Sequence, residues 1–267
     1  MREHGRMHVP GPEVASPLDP DAAIPHRFPR VTSFRARRSR ISDKQQETWD
    51  RLWPELGQHA RDAEGPAALL DTRAWFGRDA PLVLEIGCGT GTSTLAMAQA
   101  EPDIDVIAVE VYRRGLAQLL SAIDRTSHPE SAAGPSGVPV TNIRLIRGDG
   151  VDVLTHMFRA NSLTGVRVFF PDPWPKARHH KRRLLQPATV ALIADRLQPG
   201  ALLHAATDHA DYAAHIAEVG DADPQLRRVS AGSQGLPMSV SRPVTKYEGK
   251  ARHAGSAVAE LLWEKTP

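Results

Sequence analysis

Two short stretches hold most of the residue types that could do chemistry. The first runs Leu82-Val-Leu-Glu-Ile-Gly-Cys-Gly-Thr-Gly91. Its glycines, Gly87, Gly89 and Gly91, suit a tight strand-to-helix turn whose backbone can approach a ligand closely. The same pattern also suits a tight turn that holds no ligand. Three details narrow the reading. The spacing is G-x-G-x-G, and Thr92 stands where a dinucleotide fold wants its third glycine. Glu85, just before the turn, repels a pyrophosphate and suits a cationic ligand. Glu110 closes the next apolar run, 19 residues after Gly91. An acid there can accept both hydroxyls of a ribose. A nicotinamide-linked dehydrogenase wants that acid too, so Glu110 does not discriminate, whereas Glu85 does.

A ligand with a ribose and a positive charge is S-adenosylmethionine, a sulfonium that also carries an ammonium group. Asp149 follows a third apolar run, in Arg-Gly-Asp-Gly. Its carboxylate can accept from an adenine amino group, or cap the helix that follows, and the two roles are compatible. Cys88 reads as a small residue that fits the turn rather than as a nucleophile. The second stretch is Phe169-Phe-Pro-Asp-Pro-Trp-Pro-Lys176. In open α/β sheets ligands bind beyond the carboxyl ends of the strands. That puts Asp172 beside the sulfonium methyl, between two prolines that stiffen the backbone. Trp174 either stacks on a base as a wall of the site or plugs the core.

The rest of the chain supplies elements able to position these residues. Apolar runs at Leu82–Ile86, Asp105–Val109, Ile143–Arg147, Val166–Phe170 and Ala201–Ala206 alternate with helical patterns. The helical patterns cover Thr92–Ala100, Arg113–Arg125, Val151–Phe158, Arg183–Arg196 and Ala210–Val219. Such alternation implies right-handed βαβ crossovers and a parallel sheet. Two further strands are expected near Leu226–Ser230 and Ala257–Trp263. The expectation is a Rossmann-like α/β fold with a mostly parallel seven-stranded sheet, helices on both faces and an antiparallel last strand. Ser42 caps a helix carrying Trp49, Leu52 and Trp53, which Pro54 should end or kink. Residues 57–80 read as a polar connection. Residues 1–40 read as a basic, disordered tail, and 41–267 as one domain.

The net charge of +2 does not by itself argue for nucleic acid, but its distribution is uneven. Six arginines lie between His26 and Arg40 without one acid. A second acid-free cluster runs from Lys176 through Arg178, Lys181 and Arg182 to Arg183. Such runs form either a solvated face or a track for backbone phosphates. The single cysteine excludes an internal disulfide and argues against a cysteine-based zinc site, so no metal is expected. No apolar run approaches the roughly 20 residues of a membrane span. With no signal-like N-terminus, a soluble cytoplasmic protein is expected.

The stretch FFPDPWPKARHHKRRL resembles the signature of the tRNA (guanine-N(7)-)-methyltransferase family. So do Leu84-Glu-Ile-Gly87, Ile107-Ala-Val-Glu-Val111, Ala206-Thr-Asp208 and Thr245-Lys-Tyr-Glu248, in the family's order. The resemblance spans residues from about 30 to 264. It implies that Glu85, Glu110 and Asp149 hold the S-adenosyl-L-methionine cofactor and that Asp172 is the active-site acid. It implies that Lys176, Asp208, Thr245, Lys246, Tyr247 and Glu248 contact the substrate, a variable-loop guanine of tRNA at position 46. Arg178, Lys181, Arg182 and Arg183 are candidates for tRNA phosphates. The chemistry agrees, because guanine N7 carries a free lone pair in the neutral base. Its attack on a sulfonium methyl needs no general base, only positioning and stabilisation of a developing cation. Three other readings remain: a methylase of an exocyclic base amine, to whose [DNS]-P-P-[FYW] motif PDPW is loosely similar; an RNA-binding scaffold without catalysis; and a dehydrogenase, disfavoured by Glu85 and the missing third glycine.

Overall fold

The computed structural model describes residues 32–34, 40–62, 64–127, 139–243 and 257–267. The elements follow in the order α1 (Asp43–Leu56), β1 (Gly57–His59), α2 (Thr72–Phe76), β2 (Leu82–Ile86), α3 (Thr92–Ala100), β3 (Asp105–Glu110) and α4 (Arg113–Thr126). Then come β4 (Ile143–Arg147), α5 (Gly150–His156), β5 (Leu163–Phe169), a 3-10 helix (Ala177–Arg182), α6 (Pro187–Arg196), β6 (Leu197–Thr207), α7 (Ala210–Ala222), β7 (Leu226–Arg228) and β8 (Ala259–Lys265).

The strands form one sheet in the order β1-β4-β3-β2-β5-β6-β8-β7. Every pair from β1 to β6 is parallel, and β8 runs antiparallel to both β6 and β7. The expected Rossmann-like α/β sheet with an antiparallel last strand is therefore present, but with eight strands, not seven. The extra strand is β1, which pairs Gly57–His59 with Leu145–Arg147 at the sheet edge. Three residues without alternation leave no periodic signal, and the short helix α2 in the same connection is equally brief. Pro54 does not stop α1, which runs two residues past it to Leu56. Ser42 caps that helix as expected, accepting from the Gln45 amide.

Side-chain alternation along the central strands feeds two cores. Leu82, Leu84 and Ile86 of β2 and Ile107 and Val109 of β3 pack with α5, α6 and α7. Val106 and Ala108 of β3 pack instead with α4 and with Trp49 of α1. After β2 the chain moves outward to β3 and β4, then returns to β5 on the other side of β2. The carboxyl ends of β2 and β5 therefore diverge at a topological switch point, where such sheets open a crevice for ligands. None of the described helices is long and apolar enough to cross a membrane.

The α4 helix starts close against the glycine turn. A Cβ on Gly115 would meet the Gly89 carbonyl oxygen at 2.3 Å and Glu110 Cγ at 3.2 Å. Gly115→Ala is therefore expected to push α4 off the turn, costing about 1–3 kcal/mol as an overpacking change. A thermal melt measures the loss. An unchanged melting temperature would mean that the turn moves freely and is not seated on α4.

Candidate active site

The crevice at the switch point is a cleft with about 690 Å³ of empty space, open mouth included. Its floor is built from the ends of four parallel strands. Ile86 ends β2 and Gly87 follows it, Val109 and Glu110 end β3, Gly148 and Asp149 follow β4, and Phe169 ends β5 with Phe170 through Asp172 following it.

The turn after β2 has the backbone its glycines permit: φ is 79° at Gly87, 56° at Gly89 and 74° at Gly91. These values are left-handed, where a side chain is strained. Glu110 pins this turn. Its Oε2 accepts from the Gly89 amide at 3.0 Å, and its Oε1 accepts from Val111 and Tyr112 at 2.7 and 2.9 Å. Both in-plane lone pairs of Oε1 are thus used by backbone, and the open lone pair on Oε2 is the one left for a ribose hydroxyl. The sequence expectation of an acid free to take both hydroxyls missed this anchoring. Burial raises the pKa of Glu110, and the three amides partly offset it.

Glu85 is buried at the end of β2 and stands behind the cleft wall rather than on it. Its Oε2 has no hydrogen-bond partner among the described residues. Burial raises its pKa, against the pull of Arg167, which sits opposite it in the β2–β5 register. Thr94 also lowers that pKa, and an acid at this depth behind the turn favours a cationic ligand over a pyrophosphate. Asp149 fills both of its proposed positions. Oδ1 caps α5 through the Val151 amide at 2.9 Å, and the residue lines the cleft. Cys88 is buried, and burial together with the Glu110 and Glu85 charges pushes its thiol pKa well up. It is no nucleophile, because a thiol in such surroundings does not ionise.

Beyond β5 the chain makes a strained loop. Phe170 has φ 50° and Trp174 φ 45°, two non-glycine residues in the left-handed region around Pro171-Asp172-Pro173. Strain of this kind persists only where neighbours over-determine the backbone. Here they do. The Phe170 amide donates to Ala206 O at 2.8 Å, and Arg183 Nε donates to Pro173 O at 3.0 Å. Trp174 is buried, its Nε1 donating to Ser33 O at 2.9 Å. The loop holds Asp172 exposed at the cleft mouth. No described residue hydrogen-bonds or ion-pairs with its carboxylate.

The basic cluster divides in a way the sequence did not reveal. Arg182 is not a free phosphate ligand. Its guanidinium lies 3.7 Å from the Trp174 ring centroid and donates to Thr32 O at 3.1 Å and Phe34 O at 2.9 Å. Arg183 is buried, paired with Asp211, and 4.9 Å from the Tyr212 ring centroid. Both guanidiniums are engaged by the loop and its neighbours, which leaves Arg182 partly exposed and Arg183 buried. Lys176, Arg178 and Lys181 remain exposed. Ser33 and Phe34, expected within a disordered tail, form part of the cleft wall. A phenylalanine amid arginines was the signal available for that.

Asp208 is exposed just past β6, the strand next to β5, and does not line the cleft. Thr245, Lys246, Tyr247 and Glu248 lie outside the described residues. A histidine–acid pair, which the sequence did not suggest, joins His204 Nε2 to Glu260 at 3.3 Å. His204 is fully buried behind Phe169, away from the cleft, and burial lowers its pKa.

Glu110→Gln replaces an acceptor of three amides with a group that has one oxygen and an NH2. The turn then loses at least one anchor. Affinity for S-adenosyl-L-methionine should fall by at least about tenfold, or roughly 1.4 kcal/mol. In the unaltered chain, Glu85 and Glu110 both have pKa values raised above 4.5. On acidification they take up protons before ordinary carboxyls do, so affinity should begin to fall while the pH is still above 4.5. Calorimetric titration between neutral and acidic pH tests both points. An affinity that is flat over that window, or unchanged in the variant, contradicts them.

Comparison with known proteins supports the same chemistry. The profile of a family described as "Putative methyltransferase" matches residues 79–261. The chain is 73% identical to the tRNA (guanine-N(7)-)-methyltransferase of Mycolicibacterium gilvum over the whole of both chains. It is 69% identical to the protein of the same name from Mycolicibacterium vanbaalenii, covering 100% of this chain and 99% of that one. It is 62% identical to that of Mycobacterium tuberculosis, covering 99% and 96%. With the cleft, its buried acids and its strained loop, the chain belongs to the tRNA (guanine-N(7)-)-methyltransferase family.

Proposed function

We propose that this chain transfers the methyl group of S-adenosyl-L-methionine to N7 of a tRNA guanine, at position 46 in the variable loop, giving 7-methylguanosine. The observation that carries the reading is Asp172. It is an exposed carboxylate that no described residue engages, on a strained loop in the lining of a cleft that also includes Glu110 and Asp149. The cofactor supplies an electrophilic methyl on a positively charged sulfur. The chain's residues hold and orient. Gly87 lets the backbone come close, Glu110 offers its remaining Oε2 lone pair to a ribose hydroxyl, and Asp149 faces the adenine side. Glu85 biases the region toward a cation.

The guanine N7 lone pair forms the new N–C bond as the C–S bond breaks, and the electron pair of that bond goes to sulfur. Positive charge passes from sulfur to the base, and no proton moves. The requirement on the protein is therefore alignment, plus a negative group where the base becomes cationic. Asp172 meets it. Tyr212 does not serve as a base: it is fully buried, with its pKa pushed to about 12, and its hydroxyl accepts from the Leu185 amide at 3.2 Å. Lys176 and Asp208, both exposed, serve as substrate contacts, and Thr245, Lys246, Tyr247 and Glu248 take the same role on the strength of the resemblance their sequence carries. Arg178 and Lys181 meet the phosphates. The reading carries a cytoplasmic location with it, where thiols such as Cys88 stay reduced.

Incubation with unmodified tRNA and labelled cofactor should give an alkali-labile 7-methylguanine at position 46. Label in N6-methyladenine, or no transfer at all, would overturn the reading. Asp172→Ala should keep cofactor affinity within about twofold and abolish methylation. Loss of cofactor binding would instead move Asp172 into the cofactor site. Reversing Arg178 and Lys181 together to glutamate should weaken tRNA binding and flatten its salt dependence by about two phosphate contacts. Unaltered affinity would leave them as a solvated face.

A further inference from the structure

Arg242 lies outside every role assigned above, yet its side chain is 2% exposed and directed at the loop that carries Asp172. Its guanidinium carbon lies 5.0 Å from the Phe170 ring centroid and 5.6 Å from that of Phe169. Both distances are within cation–π reach. Glu260 of β8 fixes the guanidinium in turn, with Nη2 donating to Oε1 at 2.8 Å. The other oxygen of Glu260 lies 3.3 Å from His204 Nε2, and the His204 ring stands edge-on to Phe169 at 4.8 Å. Glu260 keeps its charge, because these two partners hold its pKa down at about 2.

The target of this cluster is the strained residue. Phe170 is left-handed, a conformation that strains a non-glycine residue. It is also the residue that turns the chain from β5 into Pro171 and Asp172. A small relaxation at Phe170 swings the Asp172 carboxylate across the cleft mouth, and an in-line transfer tolerates little misplacement.

We propose that Arg242 is a positioning residue for methyl transfer: seated by Glu260, it holds the Phe170 turn that aims Asp172. The proposal rests on the role given to Asp172 above. Arg242 touches no reacting atom. Its effect is on geometry, so it should appear in the transfer step and not in the binding of either partner. Arg242 also stands three residues before Thr245 in the sequence, so an effect on RNA affinity is the competing outcome that the test must separate.

The experiment uses Arg242→Gln, Arg242→Lys and Phe170→Gly in the full chain, with single-turnover transfer to unmodified tRNA. Rates are normalised to the folded fraction. Arg242→Gln should slow transfer at saturating tRNA and cofactor by at least about tenfold, while cofactor Kd and tRNA KM stay within about twofold. Arg242→Lys, which keeps a cation on the rings, should recover part of the rate and remains informative if the glutamine variant folds poorly. Glycine accepts a positive φ without strain. In the Phe170→Gly background Arg242→Gln should therefore cost markedly less than it does alone. Three results overturn the proposal: independent, multiplicative losses in the double variant; a rise in tRNA KM with unchanged transfer rate; or loss of cofactor binding. Failure of the function reading itself shows separately, as a labelled product other than 7-methylguanine in the unaltered protein.

Discussion

The site depends on one carboxylate. Glu110 gathers the amides of Gly89, Val111 and Tyr112, and so joins the turn after β2 to the start of α4. A buried acid would ordinarily be a liability. Here the cost is offset by three charge-assisted hydrogen bonds from groups that would otherwise lack partners at the ends of their elements. The close seat of Gly115 on Gly89 belongs to the same arrangement. Lengthen the acid, neutralise it or add a methyl beneath the turn, and the cleft loses its floor. The ribose contact proposed for Glu110 would then be a second use of a group whose first use is structural.

The basic segment after β5 shows a similar division between structure and function. Arg182 and Arg183 look like their neighbours Arg178 and Lys181 in sequence, but two of the four point inward. One stacks on Trp174 and collects the carbonyls of Thr32 and Phe34, and the other holds Pro173. A planar guanidinium can stack and donate in several directions at once, which an ammonium cannot. These contacts explain why a loop with two left-handed non-glycine residues stays in place. They also join residues 32–34 to the site across about 140 residues of chain.

The parallel core of the fold was legible in the sequence. Buried strands such as Leu82–Ile86 and Ile143–Arg147 are continuous apolar runs bounded by turn residues, and their helices have a period of their own. The strand Gly57–His59 was not legible, because three residues paired at an edge carry no pattern and are defined by the neighbour that receives them. In the site, the placement of residues at strand ends was readable: Gly87, Glu110, Asp149 and Asp172 all line the cleft. What could not be read was direction. Nothing in the run Lys176–Arg183 separates an arginine that faces a tryptophan from one that faces water. Nothing at Arg242 or Glu260 announces that they meet beside Phe170, since they stand 18 positions apart in the chain.

The distribution of protonation states bears on the mechanism. Groups that could act as bases near the cleft are held out of that role by their surroundings. Cys88 is kept as a thiol, Tyr212 as a phenol, and His204 is neutral behind Phe169. A reaction that had to remove a proton from an amine would be poorly served by this set. A lone pair that is already free needs none of them. What it needs is a fixed negative charge facing a base that becomes cationic, shielded little enough that RNA can reach it. Asp172 is exposed, engaged by no described residue, and set on a backbone that neighbouring groups hold in a strained conformation. On the proposed mechanism, the strain at Phe170 and Trp174 is the structural counterpart of the chemistry: with no proton to transfer, the protein would act through the aim of one carboxylate.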